Sequence, residues 1–327
     1  MKELKDLGEF GLIDLLTGGL ASDETVKKSI GDDCAVVEVG KELLLLSCDA
    51  FLEGRHFQWD WMSPEDVGHK AAASALSDIA AMGGTPLYAL VSLAVNPQME
   101  VNALRRIYDG LTQLFQSCQC TLIGGDTVSS SGGLMLSVTV IGKAEGGRVL
   151  YRSGIRPGDV IMVTGHPGTS ALGLHTLLQG HDAPVSLLDA HRRPLPRLQE
   201  ASLLCSFPEV HAMMDISDGL VQDLQHMAKC SDLTVEVDSA ALPLSADQCL
   251  YSQQRNISPL DGALYGGEDY ELALAVAPEA VESVQTRFNE AFSLPLTVIG
   301  HALKGEPLVL VDHKQPEKRG WDHFYER

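Results

Sequence analysis

Long apolar runs are missing from this chain: no segment approaches the roughly 18 consecutive apolar residues that a membrane-spanning helix needs. The opening residues, Met1-Lys2-Glu3-Leu4-Lys5-Asp6, carry acids and lead into no apolar stretch, so no secretory leader is expected. Cations are scarce. Lys and Arg number 24 against 44 acids, a formal charge of -20, and a field of that sign repels a nucleic-acid backbone. Cysteine has no pattern. Cys34, Cys48, Cys118, Cys120, Cys205, Cys230 and Cys249 are odd in number and lack zinc spacing, and Cys118-x-Cys120 is one residue short of a redox pair. A reducing cytoplasm is the expected compartment. Neither a Walker lysine nor a strand-borne Gly-x-Gly-x-x-Gly is found, which disfavours both common nucleotide folds.

What is present is an ordinary globular composition, 45% apolar and 21% charged, over 327 residues. That length exceeds what one core usually supports, so two domains of about 150 residues each are expected. An acidic protein can still bind ATP when metal ions sit between its carboxylates and the phosphates.

Along the chain, apolar runs at 34–39 and 43–49 read as strands, the second ending in Asp49. Ser63-Pro64 opens a predicted helix over 64–82, and Gly83-Gly84-Thr85-Pro86 stops it. A strand over 87–95, a helix over 101–118, a short run at 121–123 before Gly124-Gly125-Asp126-Thr127, and a strand over 134–141 follow. The texture then turns rich in Gly and Pro between 146 and 159, where a domain boundary is placed. Beyond it the pattern predicts a strand at 160–164, a helix at 170–178, helical structure over 185–205 interrupted by Pro194 and Pro196, a helical face of Leu220, Leu224 and Met227, and a strand at 270–276.

Acids recur at the ends of these elements: Asp32-Asp33, Asp49, Asp78, Asp126, and Asp215 with Asp218. Two carboxylates about 4 Å apart repel by roughly 4 kcal/mol at an effective dielectric of 20, so their convergence needs a cation. With no Cys or His clustered beside them, a hard ion such as Mg²⁺ suits better than zinc. Asp78 lies late in its helix, where the macrodipole disfavours negative charge. Asp215 and Asp218 would share a helical face if the helix began at Asp215; equally, Asp215 or Ser217 would serve as a plain N-cap. Gly-Gly at 124–125 and 266–267 permits close approach of backbone to phosphate, though such pairs more commonly build tight turns. The segment Gly165-His166-Pro167-Gly168-Thr169-Ser170, between strand and helix, is a further position suited to phosphate.

In order along nearly the whole chain stand Gly8-Glu9-Phe10, Gly31-Asp32-Asp33, Glu53-Gly54-Arg55-His56-Phe57, Leu76-Ser77-Asp78-Ile79-Ala80-Ala81-Met82-Gly83, Gly124-Gly125-Asp126-Thr127, Asp215-Ile216-Ser217-Asp218-Gly219-Leu220 and Gly266-Gly267-Glu268-Asp269-Tyr270-Glu271. This collinear set resembles the thiamine-monophosphate kinases, within the superfamily of aminoimidazole-ribonucleotide synthetase. The resemblance implies an α/β domain over residues 1–145 that binds ATP and magnesium and pairs its sheet across a homodimer, followed by an α+β domain over 146–327. It implies magnesium ligation by Asp33, Asp49, Asp78, Asp126, Asp215 and Asp218, of which Asp78, Asp126 and Asp218 carry the catalysis. It places Gly125, Asp126, Arg152 and Ser217 at the nucleotide, and His56, Glu268 and Trp321 at the substrate. Two departures stand out. Cys48-Asp49-Ala50 replaces the usual Thr-Asp-Thr, so Cys48 fills a metal-shell position without the hydroxyl, and Ala75 stands where Asn is common.

The implied reaction transfers the γ-phosphoryl group of ATP to thiamine monophosphate, giving thiamine diphosphate. A phosphate acceptor with a second pKa near 6 is already ionised at neutral pH, so no general base is required. The positive thiazolium gives Trp321 a reason to be in the site through cation–π attraction, while an anchor for the C-terminal tail explains it as well. His56 is read either as a phosphate contact or as a structural histidine. Rival readings are another enzyme of the superfamily or a non-catalytic nucleotide-binding regulator on the same scaffold. The Cys and Lys pair that selenophosphate synthetases carry near the N-terminus does not precede Gly31.

Overall fold

The computed structural model describes residues 7–321 apart from Ser22 and Arg319, so the opening segment on which the expected absence of a leader rests lies outside the described residues. After the short helix α1 (Gly8–Thr17), the strands β1 (Val26–Lys28), β2 (Ala35–Val39) and β3 (Glu42–Leu52) form an antiparallel run. Helix α2 (Pro64–Ala81) starts where the Ser-Pro signal predicts: Ser63 and Asp66 each accept the other's backbone N–H at 3.2 Å, with Pro64 at the first position. Strand β4 (Gly84–Val95), helix α3 (Val101–Ser117), and strands β5 (Thr121–Ser129) and β6 (Met135–Ala144) complete a sheet of order β1-β2-β3-β6-β4-β5. Only β4 and β5, joined through α3, run parallel.

Helices α2 and α3 cover one face of this sheet and bury Leu45, Phe51, Leu76, Ile79, Ile107, Leu111 and Leu136 against it. Alternate residues face the other way. Cys48 is exposed there, as are Leu52 and Met135, and β5 is exposed over nearly its whole length, including Ile123 and Val128. A largely antiparallel sheet with one covered and one open face accounts for the alternation along β3 and β6, and β5 is exposed further as an edge strand.

A link carrying Arg148, whose guanidinium donates to the carbonyls of Cys205, Phe207 and Val210, leads to the second sheet. Its elements are β7 (Val160–Thr164), α4 (Thr169–Gln179), α5 (Val185–Arg192), α6 (Leu198–Cys205), β8 (Val210–Asp215), α7 (Leu220–Ser231), β9 (Thr234–Val237), α8 (Ala246–Arg255), α9 (Pro259–Tyr265), β10 (Leu272–Val276), α10 (Val281–Ala291), β11 (Leu296–Leu303) and β12 (Val309–Val311). The order is β12-β9-β11-β7-β10-β8, with only β12 and β9 parallel. Both faces are buried. Along β10, Leu272, Leu274 and Val276 pack with Leu204 and Phe288 on one side, while Ala273 and Ala275 pack with Leu224 and Met227 on the other. Ala80 of α2 belongs to the first of these clusters, so α2 serves both sheets.

Of the two readings of the Asp215–Asp218 segment, a helix beginning at Asp215 or a plain N-cap at Asp215 or Ser217, neither holds. Asp215 pairs with Leu272 as the last residue of β8, and α7 begins at Leu220 with Gly219 as its N-cap. Gly219 takes φ +115°, a backbone setting that keeps the chain extended past Asp218 and that a side chain would strain. Neither Asp215 nor Ser217 is therefore the cap.

Candidate active site

Three of the aspartates at element ends converge. Asp33 precedes β2, Asp78 lies in the last turn of α2, Asp215 ends β8, and one carboxylate oxygen from each lies within 4.8 Å of the others. Each is held by a neighbour. Arg152 donates from Nε and Nη2 to Asp33 Oδ1 at 3.1 and 2.6 Å, Ser47 donates to Asp78 Oδ2, and Ser77 donates to Asp215 Oδ2 at 2.5 Å. The second oxygen of Asp33 is buried without a hydrogen-bond partner.

Electrostatics here oppose ionisation. Burial, then repulsion from Asp49, Asp215 and Asp33, pushes the Asp78 carboxyl well above the ordinary carboxylate range. Burial, then Asp33, pushes Asp215 up to about 7. Asp33 is also raised by burial, against the opposing pull of Arg152. Asp49 in β3 is raised by burial, countered by the Ser74 hydroxyl of α2 nearby. A buried set of carboxylates with an unpartnered oxygen, only one of them neutralised by a guanidinium, fits a divalent cation that prefers oxygen ligands.

The loop from Ser217 to Gly219 is built around a residue that motif reasoning passed over. Asp223, buried in the first turn of α7, accepts the backbone N–H of Ser217 at 3.0 Å, Asp218 at 3.2 Å and Gly219 at 3.1 Å through Oδ2. One carboxylate oxygen thus satisfies three orphan amides beside a helix N-terminus. An acid five residues after Asp218, in a helix's first turn, was the available signal. The Asp218 carbonyl in turn accepts Trp321 N–H at 2.8 Å, and Gln222 donates to the Trp321 carbonyl at 2.6 Å, so the tail crosses this loop. Beside it a cavity of about 690 Å³ opens between α1, α7 and the tail, lined by Gln222, His226, Lys229 and Trp321. None of the three converging carboxylates lines it.

Packed against the Ser217–Gly219 loop, with Glu268 N–H donating to the Ser217 carbonyl at 2.7 Å and Tyr270 N–H to that of Ile216 at 2.9 Å, lies the segment 266–271. Glu268 and Tyr270 both adopt left-handed backbone, φ +61° and +53°, so that alternate side chains turn to different tasks. Asp269 accepts Gly168 N–H at 2.6 Å and Ser170 N–H at 3.0 Å. The helix N-terminus at Gly165-His166-Pro167-Gly168-Thr169-Ser170, expected to suit phosphate, is therefore already filled by a carboxylate of the chain itself. Glu271 is gripped by Arg197 through two N–H donors at 2.8 and 2.6 Å and accepts the Thr164 hydroxyl at 2.6 Å. Glu268 turns the opposite way, to Lys70 Nζ of α2 at 2.9 Å. Despite burial, which raises it, Lys70 first and then His191 and His56 bring the Glu268 carboxyl below its ordinary value. The imidazole of His56 accepts Leu52 N–H at Nδ1, 2.9 Å, and stacks on Phe51 with ring centroids 5.2 Å apart. With Nδ1 an acceptor, the ring proton of the neutral form belongs to Nε2.

Other expected site residues are not among the three converging carboxylates. Cys48 lies between Ser47 and Asp49 and, by strand alternation, points to the open face, where it meets Ser137 at 3.4 Å and accepts from Thr139 at 3.4 Å. Asp126 is exposed on β5, in register with Ser92 of the same open face. Gly124-Gly125 forms strand rather than a turn: a Cβ on Gly125 would come within 1.8 Å of the Val91 carbonyl, so the pair lets β5 lie close against β4. Asp218 lies outside the converging three.

Models of AIR synthase related protein match the chain twice, the N-terminal domain over residues 31–144 and the C-terminal domain over 156–313, which defines the class to which this fold and acid cluster correspond. Thiamine-monophosphate kinase of Aquifex aeolicus is 38% identical over 98% of this chain and 99% of its own, and that of Escherichia coli K12 is 37% identical over 97% and 98%. A solved structure described as "AaThiL complexed with AMPPCP and TMP" is 36% identical, covers 99% of both chains and superposes with a TM-score of 0.88. The chain belongs to the thiamine-monophosphate kinase family.

Proposed function

We propose that the chain is an ATP-dependent kinase that phosphorylates thiamine monophosphate to thiamine diphosphate. The observation that carries this reading is the meeting of Asp33, Asp78 and Asp215 in one partly buried site, in a chain related end to end to kinases of that name. A relative that holds AMPPCP and TMP together supports the pairing of nucleotide and acceptor. Mg²⁺ held by Asp33, Asp78 and Asp215, with Asp49 beside them, would supply charge neutralisation for two phosphate groups brought together.

The chain's own residues then have distinct tasks. Arg152 lies beside the acids, and the Ser217–Gly219 loop, its amides already held by Asp223, presents the Ser217 side chain; both suit a nucleotide. Asp218 is held at the turn between loop and tail, and Gly125 with Asp126 lies across the sheet. His56, offering Nε2–H, and Glu268, kept ionised by Lys70, suit the acceptor; Trp321 at its cavity suits the acceptor's heterocycle. The acceptor phosphate is ionised at neutral pH, so the site has no proton to remove. The open sheet face and exposed edge strand β5 support a homodimer formed through the unit of residues 1–145, with residues 146–327 as the second unit. A cytoplasmic location agrees with seven free cysteines.

Incubation of the pure protein with ATP, Mg²⁺ and thiamine monophosphate should yield thiamine diphosphate and ADP in equal amounts, with free thiamine a poor acceptor. ADP formed without thiamine diphosphate, or no turnover at all, would refute the reading.

A further inference from the structure

We propose that Lys70 is a positioning residue that sets the Glu268 carboxylate for recognition of the phosphorylated acceptor; this rests on the kinase reading above. Lys70 is fully buried on α2, with Nζ 2.9 Å from Glu268 Oε1 and 3.3 Å from His191 Nε2. An ammonium only donates, so His191 Nε2 must accept. The imidazole proton then sits on Nδ1 and is directed at Ser170 Oγ, 3.1 Å away, while Glu268 Oε2 at 3.7 Å is too distant for a second hydrogen bond. Ser170 is fixed in turn by the bond from its N–H to Asp269. The chain of contacts leaves Lys70 one orientation, and Lys70 leaves Glu268 one.

Stability alone does not account for this arrangement. A buried ion pair is commonly no better for the fold than apolar residues of the same volume, so a fully buried lysine points to a requirement other than packing. Glu268 also holds a left-handed backbone that only a surrounding network sustains, and such outliers gather where geometry serves function. Its side chain remains 25% exposed while that of Lys70 is at 0%, so the carboxylate is anchored from behind and open in front, near the field of His56. Without Lys70, Glu268 would be a partly buried, unpaired carboxylate free to take a proton or leave its position. Recognition of the acceptor would weaken, while the Ser217–Gly219 loop on the ATP side would keep its contact with Glu268, which is the backbone N–H bonded to the Ser217 carbonyl at 2.7 Å and not the side chain.

The test combines Lys70→Met, Glu268→Gln and the double variant with steady-state kinetics, calorimetric binding of thiamine monophosphate without ATP, and thermal melting. Lys70→Met should raise KM for thiamine monophosphate and weaken its binding by about tenfold, with KM for ATP within about twofold. In the Glu268→Gln background the same change should add less than about twofold, because the group through which Lys70 acts is gone. The double variant leaves no unpaired carboxylate, so it reports even if Lys70→Met alone fails to fold. Multiplying effects in the double variant, or equal weakening toward ATP and acceptor, would overturn the proposal. Wild-type protein that binds thiamine monophosphate without making thiamine diphosphate would instead refute the kinase reading and leave the binding comparison to decide on Lys70.

Discussion

Ser77 and Asp215, 138 positions apart, share a buried hydrogen bond of 2.5 Å that ties helix α2 of the first sheet to the last residue of strand β8 in the second. The neighbouring residue of the helix, Asp78, has its own serine, Ser47, from the sheet beneath. Both carboxylates are thus oriented by hydroxyls while remaining crowded together. Asp78→Asn and Asp215→Asn should each largely abolish turnover, yet raise the melting temperature of the metal-free protein by relieving buried repulsion. Near-normal activity in both would remove the metal assignment. A drop in melting temperature would show that the charges are compensated in some other way.

Asp223 should matter to the loop more than to the helix in which it lies. Removing its carboxylate leaves three backbone amides without an acceptor, so Asp223→Ala should cost about 2–4 kcal/mol of stability. Asp223→Asn, which retains one oxygen, should cost less. Activity should fall in both, since Ser217 and Asp218 ride on that loop, and denaturant melts with parallel assays would read the two effects. An Ala variant as stable as wild type would mean the amides find another partner.

Trp321 has two roles that kinetics can separate. Its backbone already fastens the tail to Asp218 and Gln222, so the side chain is not needed for that contact. Trp321→Ala should therefore raise KM for thiamine monophosphate more than KM for ATP, with the melting temperature little changed. Equal effects on the two KM values, with lower stability, would make the indole a tail anchor instead.

Two histidines set an acid limit on the fold. Burial, then Lys70, brings His191 down to about 3, and burial, then Arg152, brings His226 down to about 4. Both are neutral in the folded chain and take up protons on unfolding below the free value near 6.5, so their contribution to stability is complete above that pH and is lost as pH falls toward about 3 to 4. Each proton contributes a slope of about 1.4 kcal/mol per pH unit within that window. His191→Asn should flatten the dependence of stability on pH between about 4 and 6 by nearly one proton. An unchanged slope would place the uptake elsewhere.

Much of this architecture is legible in the sequence where the signal is local. Helix α2 runs from Pro64 as its cap predicts, strand β7 occupies its expected span, and α5 and α6 are divided where Pro194 and Pro196 interrupt the pattern. The acids recur at element ends, and one carboxylate oxygen from each of three of them, Asp33, Asp78 and Asp215, lies within 4.8 Å of the others. Local spacing misled at Asp215 and Asp218, because strand pairing with Leu272 outweighed the helical register that an i, i+3 pair suggests. Cys48 was legible as a neighbour of Asp49, but strand alternation turns adjacent residues to opposite faces, and only the assembled sheet shows which face is covered. Lys70 and Asp223 belong to no motif, and Ser77 stands in one that assigns it no task. Their partners lie in other elements or on backbone amides, and those contacts exist only once the chain has folded.

Helix α2 carries Lys70, Ser74, Ser77 and Asp78 on neighbouring turns, and that gives the site a fixed gauge. Eight residues of helical rise separate the anchor of Glu268 from Asp78, a span of about 12 Å that no loop movement can alter. A one-residue insertion between them would rotate one end by about 100° relative to the other, so this stretch has a length as constrained as any side chain in it. Change in the chain's substrate range is therefore free to come through the segments at either end of the gauge, and not through the gauge itself.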